Sequence, residues 1–148
     1  VVADAEQLPP VEFDLVCSLH VLEHVADPER QLAAFGRWVR PGGRLLYVVP
    51  DADGWGHRAK AAGWFAYRDP THCSLLASEE WLRLTRAAGF AIDRVGADGL
   101  WDAPYLRRVP TVLQRPLFGA PALAQVALGR LVLPAHSGEC LVVVATRR

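Results

Sequence analysis

The sequence predicts an α/β fold built on a mainly parallel sheet. Two short apolar runs, Phe13–Leu19 and residues 45–49, have the length and composition of buried strands. Between them, apolar residues recur at helical spacing, starting at Asp27 and Pro28 and stopping at a Pro-Gly-Gly turn. A strand, a helix and a second strand with short connections form a right-handed unit whose two strands run parallel.

A second helix and strand are predicted downstream. Ser78 is expected to cap a helix whose inner face carries Trp81 and Leu84. Gly89 is expected to end this helix in a left-handed conformation. Residues 91–95 then read as a short strand.

The rest of the chain divides into a loop region, an insertion and a last strand. Residues 51–76 show no clear period and predict an ordered loop region. Residues 141–145 are fully apolar and predict a central last strand. The intervening segment, at about residues 98–138, is apolar and contains five prolines, so we expect a cap-like insertion with one or two short helices.

Composition limits the class of protein. The 148 residues suit one domain, and 16 basic against 16 acidic side chains do not indicate a nucleic-acid partner. No uninterrupted apolar stretch is long enough for a membrane span. Three widely spaced cysteines are typical of reduced core thiols, and we expect a cytoplasmic protein.

Four motifs follow one another in a characteristic order: DAEQLP at residues 4–9, FDLV at 13–16, HVLEHVADP at 20–28 and RPGGRLL at 40–46. This series resembles the second half of the core of class I S-adenosylmethionine (SAM)-dependent methyltransferases, of the type that act on small molecules. The resemblance implies a Rossmann-like domain with an antiparallel last strand and SAM as its cofactor.

The resemblance begins partway into the fold of that family. The glycine-rich cofactor loop, which the family carries upstream, is missing from the sequence. We therefore expect residues 1–148 to be the C-terminal portion of a single methyltransferase domain, truncated at its N-terminus. The parent protein is expected to be an enzyme, and this chain alone to be inactive.

The family's cofactor contacts carry over to four residues. Asp4 and Ala5 match the motif that binds the adenine, where an acidic side chain accepts a hydrogen bond from the amino group. Leu19 and His20 lie at the carboxyl end of the first strand, where the resemblance places the methionine half of the cofactor.

Methyl transfer needs few protein groups, because the sulfonium is already a good electrophile and the site has mainly to align the reactants. A general base helps when the methyl acceptor must lose a proton, and its pKa should lie near the working pH, which favours histidine. The candidates are His72, His20, Asp51 and Tyr67. We find no recognisable cluster of metal ligands and no nucleophile motif.

The expected substrate is a small organic acceptor, in a pocket lined by Tyr67, Trp101 and Tyr105. Two alternatives stay open: a non-catalytic module that has lost cofactor binding and, more weakly, a nicotinamide-dependent oxidoreductase. The strand Phe13–Leu19 is expected at an open sheet edge, since its family neighbour is missing, and such edges favour self-association.

Overall fold

The computed structural model describes residues 12–148. In this part of the chain, four strands form one mixed sheet in the order β1-β2-β4-β3. Their bounds are β1 Phe13–Leu19, β2 Val39–Pro50, β3 Phe90–Ala97 and β4 Cys140–Arg147. β1 pairs in parallel with β2, whereas β4 runs antiparallel to both β2 and β3. The prediction of a mainly parallel sheet with an antiparallel last strand is confirmed, and β4 is central as expected.

Five helices accompany the described strands: α1 Pro28–Trp38, α2 Trp55–Lys60, α3 Phe65–Arg68, α4 Ser78–Ala87 and α5 Thr111–Ala127. Single 3-10 turns lie at Leu22–His24 and Ala61–Gly63. The region predicted as a loop therefore contains α2 and α3. Each is too short for a helical period to show in the sequence.

The start of α1 is confirmed. The Asp27 side chain accepts a hydrogen bond from the backbone of Arg30 at 2.9 Å, and Pro28 is the first helical residue. The end differs from the prediction, because β2 begins immediately at Val39 and contains the Pro-Gly-Gly segment. Residues 39–44 of β2 lie opposite residues 13–15 of β1, so this segment forms a bulge with Gly42 at φ +77°.

Ser78 does not cap α4 as predicted; it is the first residue of the helix. Its backbone N–H donates to Asp53 Oδ2 at 2.8 Å, and its hydroxyl donates to Asp51 Oδ1 at 2.7 Å. Side chains that are distant in sequence thus satisfy the helix start. At the other end Gly89 has φ +90°, which confirms the left-handed stop.

The core lies where α1 and α4 pack on the sheet. Its fully buried side chains include Leu32 from α1, Tyr47 from β2, Trp81 from α4 and Val143 from β4. Tyr47 places its hydroxyl 2.9 Å from Thr85 Oγ1, and burial raises its pKa to about 12. The core prediction is wrong for two cysteines, because Cys17 and Cys73 are exposed.

The insertion between β3 and β4 contains one helix of 17 residues, α5, where one or two short helices were predicted. Pro116 and Pro121 lie inside it, although proline usually ends a helix. α5 contacts the rest of the protein through Phe118, whose ring centroid lies 5.9 Å from that of Trp55. Among the described residues, no helix combines the length and apolarity needed to cross a membrane.

β1 forms one edge of the described sheet, as predicted. Phe13, Leu15 and Leu19 are 40%, 53% and 55% exposed along it. An apolar edge of this kind can pair with another strand. Self-association along β1 stays a prediction, which sedimentation at several protein concentrations would check.

Gly36→Ala is expected to destabilise the fold by about 1–3 kcal/mol, because a Cβ at Gly36 would lie 2.6 Å from the backbone oxygen of Ala88. This contact sets how closely α1 approaches the end of α4, and a backbone oxygen cannot move aside as a side chain could. Chemical denaturation measures the change. Gly63→Ala is the matched control, since nothing lies within 4 Å of its added Cβ. Equal stability of the two variants would contradict the prediction.

Candidate functional site

One edge of the sheet collects the polar groups of the site. Strands β1, β2 and β3 end at this edge and β4 begins there, as the pairs Leu19↔Val48, Pro50↔Cys140 and Ala97↔Leu141 show. Ligands of open α/β sheets bind at the carboxyl ends of their parallel strands. A cavity of about 330 Å³ lies here, a volume typical of small-molecule pockets. It is lined by His20, Phe65, Asp98, Trp101, Asp102, Glu139 and Cys140.

His20 follows β1, and the chain turns towards the cavity at this residue. Its φ of +53° is uncommon for a residue with a side chain, and its backbone N–H donates to Val48 O at 3.0 Å. Nδ1 lies 3.1 Å from Oε1 of the buried Glu23. This hydrogen bond raises the pKa of His20, against the effect of its own burial.

Asp98 follows β3 directly and reaches the same cavity. Its Oδ1 accepts a hydrogen bond from the backbone of Cys140 at 2.8 Å. Burial raises the pKa of Asp98 in spite of the backbone hydrogen bonds that it accepts. The sequence analysis missed this residue as a site group. The signal was present, since a carboxylate immediately after a parallel strand lies at the binding edge.

Glu139 precedes β4 and is 3% exposed. The Tyr105 hydroxyl donates to its Oε1 at 2.5 Å, and the Trp64 indole donates to its Oε2 at 2.8 Å. Burial raises the pKa of Glu139, while burial and the bond to Glu139 raise the pKa of Tyr105. Glu139 therefore joins the insertion and the α2–α3 region to the sheet.

The predicted pocket residues have different surroundings. Trp101 lines the cavity and is 49% exposed. Tyr105 lies behind the cavity, which it meets through Glu139. Tyr67 does not line the cavity; its hydroxyl lies 3.1 Å from His57 Nε2.

Two candidate bases lie away from the cavity. Asp51 is 1% exposed, and besides the Ser78 hydroxyl on Oδ1 it has His136 Nδ1 at 3.0 Å from Oδ2. His72 lies in a neighbouring cleft, with Nδ1 at 2.7 Å from Ala66 O. Among the four candidates, His20 lines the cavity and the other three do not.

The predicted cofactor residues are only partly described. Leu19 ends β1 beside His20 and is 55% exposed, so it presents an apolar surface at the binding edge. Asp4 and Ala5 lie outside the described residues. The adenine contact that the resemblance implies for them stays a prediction.

A mixed α/β sheet with a cavity at the carboxyl ends of its parallel strands is an architecture that binds nucleotide-type cofactors in many enzymes. A family profile described as a methyltransferase domain matches residues 2–95. The chain belongs to this methyltransferase-domain family, and its fold is the Rossmann-like fold of class I SAM-dependent methyltransferases.

Several curated proteins match at the sequence level. The uncharacterized protein YafE of Escherichia coli K12 is 35% identical over 102 residues, which cover 65% of this chain and 48% of that protein. The ubiquinone biosynthesis O-methyltransferase of Idiomarina loihiensis is 31% identical over 97 residues, which cover 62% of this chain and 39% of that protein. The chain thus spans at most about half the length of these relatives.

Solved structures agree on the fold. A SAM-dependent methyltransferase from Thermotoga maritima superposes with a TM-score of 0.66 at 22% identity, covering 99% of this chain and 62% of that one. A SAM-dependent methyltransferase from Archaeoglobus fulgidus gives a TM-score of 0.62 at 18% identity, covering 99% of this chain and 66% of that one.

Proposed function

We propose that this chain takes part in SAM-dependent methyl transfer to a small organic acceptor bound in the cavity at the carboxyl edge of the sheet. One observation carries the proposal. The cavity brings together His20 and Asp98 from two strand ends, and Trp101 from the insertion covers it. Methyl transfer needs a site that aligns two reactants, and the groups that line this cavity support such a role.

The residues of the cavity fit the cofactor that the family implies. SAM carries a positive sulfonium, and Asp98 at the cavity wall is the carboxyl group that would face it. Leu19 and His20 would hold the methionine half at the end of β1. When bound, SAM supplies the methyl group as an activated electrophile.

Asp98 is the group that we propose takes the proton from an acceptor hydroxyl or amine. Its partly buried carboxyl has a raised pKa, and a base whose pKa approaches the working pH is more effective. His20 lies across the cavity and would orient the acceptor by a hydrogen bond. Its ring is fixed by Glu23, so the free Nε2 has a defined direction.

Binding of S-adenosylhomocysteine, the product form of the cofactor, tests the proposal first. Calorimetry is run on this chain and on a version of it extended upstream. Binding followed by methyl transfer to small hydroxyl or amine compounds supports the proposal. No binding in either protein would contradict it and favour the non-catalytic module.

Trp101→Ala is expected to raise the acceptor KM about ten- to a hundredfold, because the variant loses the contact area of one large aromatic side chain. The KM for SAM should change little. Leu106→Ala is the matched control, since Leu106 is similarly exposed in the same insertion and lines a different cavity. Equal effects of the two substitutions would remove Trp101 from the pocket.

A further inference from the structure

Three metal-ligating side chains meet in the cleft beside the candidate acceptor cavity. Glu23 and His24 come from the 3-10 turn after β1, and His72 comes from the segment after α3. One ligand atom from each lies within 4.8 Å of the other two. We propose that Glu23, His24 and His72 bind a divalent transition-metal cation, with Zn²⁺ as the best match.

The His72 ring is held in the form that a metal ligand requires. Its Nδ1 lies 2.7 Å from the backbone oxygen of Ala66. A carbonyl oxygen only accepts hydrogen bonds, so Nδ1 must carry a proton, and in the neutral ring Nε2 then keeps its lone pair. Metal-ligating histidines usually donate their second ring N–H to a carbonyl or a carboxylate in this way.

His24 reaches the same form through a chain of two hydrogen bonds. Its Nδ1 lies 2.8 Å from Thr71 Oγ1, and the Thr71 hydroxyl donates to Asp69 Oδ1 at 2.6 Å. Because the Thr71 hydroxyl donates its proton to Asp69, its oxygen accepts a hydrogen bond from His24 Nδ1–H. The Nε2 lone pair of His24 is therefore available too.

The buried side chain of Glu23 is an independent indication that a ligand binds here. Its side chain is 0% exposed, and Oε1 lies 3.1 Å from His20 Nδ1. Oε2 has no hydrogen-bond partner among the described residues. A buried carboxylate oxygen without a hydrogen-bond partner destabilises the folded protein, and a cation bound at this point would remove that destabilisation.

The two segments are also fixed relative to each other. The backbone N–H groups of Cys73 and Ser74 both donate to the backbone oxygen of Glu23, at 2.9 Å and 3.0 Å. The ring centroids of His24 and His72 are 4.6 Å apart. His72 Nε2 also lies 3.8 Å from Asp69 Oδ2, which is beyond hydrogen-bond distance. These contacts therefore hold the ligand set in place and leave the Nε2 lone pair of the neutral ring to a metal.

Two imidazoles and one carboxylate favour zinc and its neighbours over magnesium or calcium, which prefer oxygen ligands. A tetrahedral ion would keep one position open. His20 and Phe65 line both this cleft and the cavity, so the open position could take an acceptor oxygen. That catalytic role rests on the proposed function, whereas metal binding itself does not.

A second cluster provides the contrast. Asp51, Asp53 and His136 also lie close together, but their carboxylates already accept hydrogen bonds from Ser78 and from the backbone of Asp53. The Asp51–His136 contact uses the remaining oxygen of Asp51. This cluster serves the start of α4 and is the matched control.

The test is titration of the tag-free, chelator-treated protein with Zn²⁺ by calorimetry and with Co²⁺ by visible absorption. We expect one equivalent of metal, with Co²⁺ bands typical of fewer than six ligands. His72→Asn and Glu23→Gln should each weaken binding at least tenfold. His136→Asn should retain it, as should Cys73→Ser, which tests the exposed thiol next to His72.

Circular dichroism shows which variants are folded. If the variant of the buried Glu23 does not fold, the His72→Asn result alone tests the proposal. Wild-type protein that binds no metal at micromolar concentration would overturn the proposal. Binding that is unchanged in His72→Asn would overturn it as well. Neither readout involves methyl transfer, so failure of the metal site and failure of the proposed function are distinguishable.

Discussion

Replacing Asp98 with Asn is expected to lower kcat for methyl transfer by about 10²–10⁴-fold, the range for loss of a general base. The amide keeps an oxygen that can accept from the backbone of Cys140, so the local structure should persist. Affinity for S-adenosylhomocysteine should change much less than kcat. Steady-state kinetics and calorimetry measure the two quantities separately.

The dependence of the methyl-transfer rate on pH is a second test of Asp98 as the base. A base must be unprotonated to work, so the wild-type rate should rise as pH increases through the pKa of Asp98, which lies above the ordinary aspartate range. The Asn variant should lose this rising limb. Asp93→Asn is the matched control, because Asp93 lies on β3, the strand that Asp98 follows, and accepts a hydrogen bond from Thr146 away from the cavity. An Asp98→Asn enzyme with normal kcat would exclude the role.

The stability of the folded protein should also depend on the ionisation of Asp98. The folded-state pKa of Asp98 is raised, so its protonated form is favoured in the folded protein. This stabilisation is fully present below the unfolded pKa and is lost as pH rises through the folded pKa. The Tm of Asp98→Asn relative to wild type should therefore increase between acidic and neutral pH.

Trp64→Ala is expected to destabilise the fold by about 3–5 kcal/mol, the range for large-to-small changes at buried aromatic residues. Trp64 is 0% exposed, and its indole donates to Glu139 Oε2. The variant would leave both a cavity and a buried carboxylate oxygen without its donor. Urea denaturation measures the loss.

Trp64→Phe retains part of the packing. It keeps one aromatic ring, loses the N–H donor and leaves a smaller cavity than alanine does, so we expect a smaller loss of about 1–3 kcal/mol. Leu106→Ala, at a 43% exposed residue, should change stability little. If Trp64→Ala were as stable as Leu106→Ala, the α2–α3 region would not be anchored through Trp64.

Features that depend on neighbouring residues could be predicted from the sequence. Asp27 and Pro28 start α1 and Gly89 ends α4, because a cap acts within a few residues of the backbone that it satisfies. The βαβ order and the central last strand follow from the apolar runs and the family motifs. The resemblance to class I methyltransferases, stated on four short motifs, is confirmed by the family profile.

Features that depend on distant residues could not be predicted from the sequence. Ser78 is the first residue of α4, and its N–H is taken by Asp53, 25 residues away. Asp51 looked like a candidate base at a strand end, but Ser78 and His136 occupy its oxygens. No local pattern specifies such contacts, since they form only when the connections fold over the sheet.

The sequence by itself determined the class of fold, because apolar periodicity and helix caps depend on neighbouring residues, and its family motifs indicated the antiparallel last strand. The tertiary structure alone decided which side chains meet at the carboxyl edge of the sheet. It places His20 and Asp98 around one cavity and joins His72 to Glu23 across 49 residues of chain. Sequence separation does not limit such encounters, whereas the geometry of the folded backbone does.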